Sequence, residues 1–215
     1  MKFILTIISI LFTTLLFAQQ TNQLDSNGER HGLWKKTYDG QEQLRYEGTF
    51  EHGKEVGVFK HYKPKTGKQP SAIISYLPNS ELANAEYYSK SGKLLSKGQL
   101  KDRNRIGVWE YYHNNSDALM MTETYRANNL DGKKVTYYDN GQINEESYFE
   151  NGKKQGDYKV YSLKGILLQH LKYTDDELDG LSIYYDGKGE KISEGTYTKG
   201  RKDAGWKYYK KDSEE

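Results

Sequence analysis

Short runs of aromatic and β-branched residues alternate with polar turns along almost the whole chain. Residues 108–112 (Val-Trp-Glu-Tyr-Tyr) and 181–185 (Leu-Ser-Ile-Tyr-Tyr) are two such runs. Each is too short for a helix and is rich in residue types that favour strands. Dipeptides of Asn or Asp followed by Gly supply the positive φ angles of tight turns, and they separate many of the runs. They are Asn27-Gly28, Asp39-Gly40, Asp131-Gly132, Asn140-Gly141, Asn151-Gly152, Asp179-Gly180 and Asp186-Gly187.

The pattern repeats with a period of about 24 residues. A set of marker tyrosines recurs at intervals of 26, 24, 25, 24, 24 and 24 residues: Tyr62, Tyr88, Tyr112, Tyr137, Tyr161, Tyr185 and Tyr209. A glycine precedes most of them by about five residues, at Gly32, Gly57, Gly107, Gly132, Gly156, Gly180 and Gly205, and Ala83 takes its place once. We expect positive φ angles at Gly57, Gly107, Gly132, Gly156 and Gly180. Such a period is typical of stacked arrays, in which each unit buries its apolar face against its neighbours.

The pattern predicts an all-β fold, an elongated single-layer antiparallel meander of about seven to eight β-hairpin units. The repeat domain is predicted to cover residues 31–210, after a lead-in at residues 19–30 and before a tail at residues 211–215. No helix is expected after residue 25. All three prolines lie between residues 63 and 80, which predicts a longer loop or an irregular strand there, with a functional insertion as an alternative.

The first 18 residues have the pattern of a signal peptide. A short positive start, Met1-Lys2, is followed by a mostly apolar run that ends at Ala18. The run is short for a membrane span, so we expect export to the periplasm, the outer surface or the medium, with no transmembrane span after cleavage. An uncleaved N-terminal anchor is the alternative. The chain has no cysteine, which excludes a lipidated cysteine and disulfides.

Charge and composition narrow the function further. The formal net charge is +2, and such a balance gives no basic stripe of the kind that nucleic-acid binding needs. The chain has 20 tyrosines and three tryptophans, and aromatic side chains bury a large area while keeping a polar tip in water. We therefore expect an ordered protein with a thin core.

Several segments resemble the MORN repeat, whose pattern is Tyr-x-Gly-x-aromatic followed by spaced glycines. Residues 46–57 carry this pattern, residues 193–206 carry most of it, and residues 96–107 form a weaker copy. The Tyr-Tyr-x-x-Gly element at residues 137–141 is similar to the divergent bacterial repeats of YwqK-type antitoxin proteins. The resemblance covers roughly residues 26–209 and departs from the pattern at Ala83 and at residues 114–117. It implies a hairpin-repeat architecture, and for function an antitoxin or immunity role.

Alternation along a strand places Trp109 and Tyr111 on one face and Tyr112 on the other. Equivalent positions of successive units then stack into aromatic ladders on both faces, and an uncovered meander leaves one ladder partly exposed. The candidate binding residues on this argument are Trp34, Phe59, Trp109, Tyr111, Tyr184 and Tyr208. The alternative is that these rings are simply the core, since cross-strand aromatic pairs stabilise such sheets.

The sequence contains no nucleophile, phosphate-loop or nucleotide-binding motif, so we predict no catalytic residues and no cofactor. The five histidines lack metal-ligand spacing, and no metal site is predicted. The expected function is a non-catalytic binding or scaffolding surface at the cell envelope, with a protein, an envelope glycan or lipid headgroups as partner. An antitoxin that neutralises a toxin is one alternative. A glycan-binding or glycan-acting envelope protein is another.

Overall fold

The structure is a computed structural model that describes residues 20–209, which are all-β and contain no helix. The strands are β1 (Gln23–Leu24), β2 (Arg30–Thr37), β3 (Leu44–Glu51), β4 (Lys54–His61), β5 (Ala72–Tyr76), β6 (Leu82–Tyr88), β7 (Leu94–Lys101), β8 (Asn104–Tyr112), β9 (Leu119–Arg126), β10 (Asn129–Tyr137), β11 (Ile143–Glu150), β12 (Lys153–Lys154), β13 (Gly156–Tyr161), β14 (Leu167–Thr174), β15 (Glu177–Leu178), β16 (Gly180–Tyr185), β17 (Lys191–Thr198), β18 (Arg201–Lys202) and β19 (Lys207–Tyr208). The predicted signal peptide and the predicted C-terminal tail lie outside the described residues.

Every pairing in the sheet is antiparallel and joins strands that are close in the chain, so the sheet is a continuous open meander, which confirms the predicted fold class. The lead-in also contributes to it, because β1 pairs with β2. In the C-terminal part, β11 pairs with both β12 and β13, and the same arrangement recurs at β14 and at β17. A short break therefore divides every second strand there without changing its place in the sheet.

The periodic glycines form bulges inside the strands. Gly57, Gly107 and Gly132 have φ angles of 64°, 62° and 125°, and the strand register shifts beside each of them. Gly156 and Gly180 also have positive φ, at 74° and 115°, and they follow the breaks in the C-terminal strands. The prediction of positive φ is confirmed at these five positions. The placement of residues 131–132 and 179–180 in turns was wrong, because both pairs lie at bulges.

The tips of the hairpins between bulges are two-residue turns in which both residues have positive φ. His52-Gly53, Ala127-Asn128 and Asp175-Asp176 are examples, and only the first of these pairs contains a glycine. The second residue of each tip donates its backbone N–H to a carbonyl of the preceding unit: Gly53 to Arg30 at 2.9 Å, Asn128 to Arg105 at 3.0 Å and Asp176 to Lys154 at 3.0 Å. These tips therefore tie their units to the ones before them.

The proline-rich segment forms loops on both sides of a short strand. β5 (Ala72–Tyr76) has five residues, whereas its neighbours β4 (Lys54–His61) and β6 (Leu82–Tyr88) have eight and seven. Pro64 and Pro70 precede β5 and Pro78 follows it. Proline is thus kept out of the hydrogen-bonded ladder, as predicted for this segment.

The marker tyrosines lie on the face opposite to the main core, and several of their hydroxyls donate to a glutamate located 15 residues earlier. The pairs are Tyr62 with Glu47 at 2.7 Å, Tyr161 with Glu146 at 3.0 Å and Tyr209 with Glu194 at 2.7 Å. Burial, together with the glutamate, raises the pKa of Tyr62 and of Tyr161 to about 12. The most regular residue of the repeat thus satisfies a hydrogen bond within the sheet.

The core lies in the first half of the described chain. Its buried cluster comes from residues 50 to 125 and consists of Phe50, Phe59, Ile74, Ala83, Ala85, Leu100, Trp109 and Tyr125. Trp34, Tyr46, Tyr76, Tyr111 and Leu130 pack against it while partly exposed. Beyond residue 130, Leu171 and Val135 are the buried hydrophobic residues of the described chain.

Candidate binding surface

All six predicted binding residues lie on one face of the sheet, which we call the inner face. A central row of cross-strand partners defines this face, with one residue from each successive pass of the chain across the sheet. The row runs Trp34, Gly48, Phe59, Ile74, Ala85, Gly98, Trp109, Glu123, Lys134, Ser147, Tyr158, Leu171, Ser182, Gly195 and Trp206. Tyr111, Tyr184 and Tyr208 lie two residues further along their strands on the same face.

Three aromatic rings of the central row each cover a glycine of the neighbouring strand. A Cβ atom on that glycine would lie 2.4 to 2.6 Å from ring atoms. The pairs are Phe59 over Gly48, Trp109 over Gly98 and Trp206 over Gly195. Each tryptophan also donates its indole N–H to a backbone carbonyl ten residues earlier at 3.2 Å. These glycines, which belong to the MORN-like segments, therefore make room for a ring.

Two of the predicted binding residues are core residues, which corrects their assignment. Phe59 is 0% exposed and Trp109 is 2% exposed, so neither ring is accessible to a partner. The physical reason is the glycine beneath each ring, which lets the ring lie flat on the sheet where neighbouring side chains cover it. The alternative that such rings are core is correct at these two positions.

Trp34 and Tyr111 are half-buried and have bound polar tips. The Trp34 indole donates to the Gln23 carbonyl at 2.9 Å, and its ring lies 5.9 Å from Phe50. The Tyr111 hydroxyl lies 3.1 Å from Tyr125 Oη and accepts from Arg105 at 3.1 Å. Their ring edges border the exposed part of the inner face, while their positions are held by the core.

Six half-buried or exposed aromatic rings of the inner face lie in the last three hairpins, and Tyr87, which is 38% exposed, is an exposed ring of the same face in the first half. We call the set of six the tyrosine ladder: Tyr158, Tyr173, Tyr184, Tyr197, Trp206 and Tyr208. The Trp206 ring is its centre, with Tyr197 at 5.3 Å, Tyr184 at 6.1 Å and Tyr208 at 6.3 Å between centroids. Tyr208 is 71% exposed and the other members are half-buried. Burial, and a hydrogen bond with Tyr197, raise the pKa of Tyr184 to about 12.

A cationic side chain lies over aromatic rings at recurring positions of the inner face. The distances to ring centroids are 4.6 Å for Arg30 over Phe50, 3.9 Å for Arg105 over Tyr125, 4.3 Å for Lys154 over Tyr158 and 4.0 Å for Lys202 over Trp206. These four cations are separated by near-multiples of the repeat period. Each one is attracted by the ring quadrupole and adds positive charge to the aromatic face.

A groove interrupts the inner face between Phe59 and Trp109. The small side chains of Ala72 and Ala83 leave this space, which consists of two adjoining hollows of about 360 and 480 Å³. Both hollows are lined by Glu55, Ile74, Tyr76, Leu100 and Arg103. Sequence reasoning missed this groove. The signal available to it was Ala83 at the place of a periodic glycine.

The groove has a polar wall in which the charges are paired. Glu55 accepts a hydrogen bond from the Tyr76 hydroxyl and lies 3.3 Å from Arg103 Nη2. Burial first, and Glu55 second, raise the pKa of Tyr76. Burial lowers the pKa of His61, against the opposing charge of Glu55. Glu81, at the rim, is bound to Lys101 at 3.1 Å.

The fold also brings together a possible metal-ligand group that sequence spacing did not predict. Ligand atoms of Asp25, His31 and His52 all lie within 4.8 Å of one another. They come from the β1–β2 turn, strand β2 (Arg30–Thr37) and the β3–β4 tip, so linear spacing carries no sign of them.

Among residues 20–209, no helix is long and apolar enough to cross a membrane.

No protein-family model and no curated protein sequence matches the chain. Among solved structures, the crystal structure of TarM is similar with a TM-score of 0.33 and 14% sequence identity. The match covers 48% of this chain and 20% of that chain, so this protein spans about a fifth of TarM. A likeness of this extent does not define a family, and the MORN-like resemblance stays a prediction.

Proposed function

We propose that the protein is an exported, non-catalytic binding or scaffolding protein of the cell envelope. Its inner face holds an extended segment of a protein or a glycan. The observation that carries this proposal is the tyrosine ladder, whose rings are exposed or half-buried and lie beside Lys154 and Lys202. Rigid amphipathic rings of this type give a large contact area at a small entropic cost.

The shape of the surface favours an extended partner. The ladder is an open row of rings across several strands, and the groove between Phe59 and Trp109 lies further along the same face. Small-molecule sites are instead concave and bury most of the ligand. A polymer that runs across the strands would contact several rings, each of which adds a modest share of the affinity. Lipid headgroups are the third partner class, and the experiment below separates them from the other two.

The proposed test compares aromatic variants on the two faces of the sheet. Isolated envelope fragments from the source cells are mixed with the full chain and sedimented, and the bound fraction is measured. Y184A and Y208A change the tyrosine ladder, while Y148A removes a 48% exposed tyrosine from the opposite face. We expect each ladder variant to bind at least tenfold more weakly, and Y148A to bind like the unchanged protein. Equal losses in all three variants, or no loss in any, would contradict the proposal.

The partner class follows from pretreating the fragments. Protease digestion removes binding if the partner is a protein, and detergent extraction removes it if the partner is lipid. Retention after both treatments identifies a glycan. Export is tested separately, by sequencing the N-terminus of the protein recovered outside the cytoplasm. We expect it to begin at residue 19.

A glycan-acting protein is the second candidate, and the Glu55 wall of the groove favours it. Glycosidases use two carboxylates beside a cleft, and this groove is lined by Glu55, Glu81 and Asp102. Because Glu55 and Glu81 are ion-paired, we expect no new reducing ends when the chain is incubated with envelope polysaccharide. Release that is abolished by E55Q would establish the enzyme instead.

A further inference from the structure

Asp25, His31 and His52 form a cluster at the N-terminal end of the sheet, away from the tyrosine ladder. One ligand atom from each residue lies within 4.8 Å of the other two. Asp25 Oδ2 lies 2.6 Å from His52 Nδ1, and the two imidazole rings are 5.1 Å apart. In the part of the chain that the structure describes, no other set of three such residues comes this close.

The carboxylate of Asp25 is held in place by its own turn. Its Oδ1 atom accepts hydrogen bonds from the backbone N–H groups of Asn27 and Glu29, both at 2.9 Å. The Asp25 backbone N–H also donates to the Glu29 carbonyl at 2.8 Å. These bonds occupy one carboxylate oxygen and direct the other, Oδ2, toward His52. Such outer hydrogen bonds are typical of carboxylates that orient or bind metal ions.

The two histidines are held by different parts of the backbone. His52 occupies the first position of the β3–β4 tip, with a φ angle of 45°, and the next residue, Gly53, donates its N–H to the Arg30 carbonyl at 2.9 Å. His31 follows Arg30 directly in β2 (Arg30–Thr37). The hydrogen bond between Gly53 and Arg30 therefore fixes the spacing of the two imidazoles. Both side chains are exposed, so an ion has open access.

We propose that Asp25, His31 and His52 bind a divalent transition-metal ion, with Zn²⁺ as the best fit. Two imidazole nitrogens and one carboxylate oxygen are a ligand set that suits Zn²⁺, whereas Ca²⁺ and Mg²⁺ prefer oxygen ligands alone. Three protein ligands on an exposed surface leave a fourth tetrahedral position for water or for a ligand from a partner. The ion would join the β1–β2 turn to the β3–β4 tip and so close the N-terminal end of the sheet.

The test is a calorimetric titration of the full, untagged chain with zinc chloride, and with magnesium chloride as the comparison. We expect one Zn²⁺ per chain and no Mg²⁺ binding. H31A and H52A should each weaken Zn²⁺ binding at least tenfold. D25N should do so as well while keeping an oxygen that accepts the turn hydrogen bonds. Melting curves should show that Zn²⁺ raises the melting temperature of the unchanged protein by more than it raises that of H31A.

His170 supplies the matched control. It forms a pair with Asp157 at 3.0 Å that resembles the pair between His52 and Asp25. Among the described residues, this pair has no third ligand residue beside it. H170A should therefore bind Zn²⁺ like the unchanged protein. If H31A also binds Zn²⁺ like the unchanged protein, or if H170A weakens binding as much as H52A does, the three-residue site is wrong. The contact between Asp25 and His52 is then an ion pair only.

Discussion

The N-terminal half of the sheet, residues 44–126, and the C-terminal half, residues 129–208, share one backbone plan but differ on the inner face. The first half contains the whole buried cluster, including Phe59 and Trp109. In the second half the central row carries Ser147 and Ser182, and the tyrosine ladder is exposed or half-buried. Bulges with positive φ and pairs of a marker tyrosine with a glutamate occur in both halves.

The comparison separates the backbone pattern, which the repeat sets, from the burial of the aromatic rings, which the neighbouring side chains set. Repeat spacing sets the strands, the bulges and the tips, and these recur in both halves, except around β5 (Ala72–Tyr76), where the strand is shorter and Ala83 replaces a periodic glycine. The side chains that neighbour a central-row ring then decide whether the inner face closes into a core. Where a ring lies on a glycine and apolar neighbours surround it, the ring is buried. Where the central row carries Ser147 and Ser182, the neighbouring rings stay accessible, and that half carries the proposed binding surface.

Trp109 and Trp206 provide the strongest test, because the two rings share one local geometry. Each covers a glycine and donates its indole N–H at 3.2 Å, but Trp109 is 2% exposed and Trp206 is half-buried. We expect W109A to lower the free energy of unfolding by about 3–5 kcal/mol and W206A by roughly 1–2 kcal/mol, since the cost follows the area buried. Denaturant unfolding followed by circular dichroism measures both, and equal costs would remove the distinction between the halves.

Gly98 tests the ring-over-glycine contact directly. A Cβ atom there would lie 2.4 Å from the Trp109 ring, so we expect G98A to destabilise the fold by about 1–3 kcal/mol through overpacking. The matched control is G187A, because Gly187 has open space around it and no positive φ, and it should be neutral. In a double-mutant cycle, the G98A/W109A variant should cost less than the sum of the single variants. Additive costs would mean that the ring does not exclude the methyl group.

Gly107 and Gly156 lie in different halves, and we expect a substitution at either one to have the same cost in stability. Both have positive φ, at 62° and 74°, and neither has a neighbouring atom within 4 Å of a Cβ position. Valine at either position is expected to cost about 1–3 kcal/mol through backbone strain alone. Thermal or denaturant unfolding of G107V and G156V measures the two costs. A clear difference between them would show that the backbone itself differs between the halves.

We also expect the marker tyrosines of the two halves to ionise at the same pH. The pKa of Tyr62 and of Tyr161 is raised to about 12, above the ordinary value near 10. Their contribution to stability is therefore complete below pH 10 and is lost as the pH rises through 12. Ultraviolet titration of Y62F and Y161F should show that each variant lacks one late-ionising phenol. Late ionisation that persists in denaturant would rule out the folded contacts as its cause.

Substitution of Ser182 is expected to give the smallest change in the free energy of unfolding. Its side chain is 0% exposed, and its hydroxyl has no hydrogen-bond partner among the described residues. Removing a buried unsatisfied hydroxyl should stabilise the protein, so we expect S182A to raise the free energy of unfolding by about 0.5–1.5 kcal/mol. S71A is the opposite case, because the Ser71 hydroxyl donates to the His61 carbonyl at 3.2 Å, and it should destabilise by a similar amount. A loss of stability in S182A would mean that this hydroxyl is satisfied.

The sequence by itself determined the period, the antiparallel meander and the conformation of the periodic glycines. It also placed Trp109 and Tyr111 on one face, because side chains alternate along any strand. These features depend on local backbone physics, which acts within one unit and repeats in the next. The ring-covered glycines Gly48, Gly98 and Gly195 were visible in the MORN-like segments, but their role was not.

Only the tertiary structure decided which rings are buried, where the groove opens and which distant residues meet. Trp109 and Tyr208 have the same predicted role, but one is core and the other is exposed. His31 and His52 approach each other because β3 (Leu44–Glu51) returns the chain to its start. Bulges shift the register between strands, and each ring is covered or exposed by side chains of neighbouring units. Burial and contact therefore depend on cross-strand partners that a period of 24 residues does not specify.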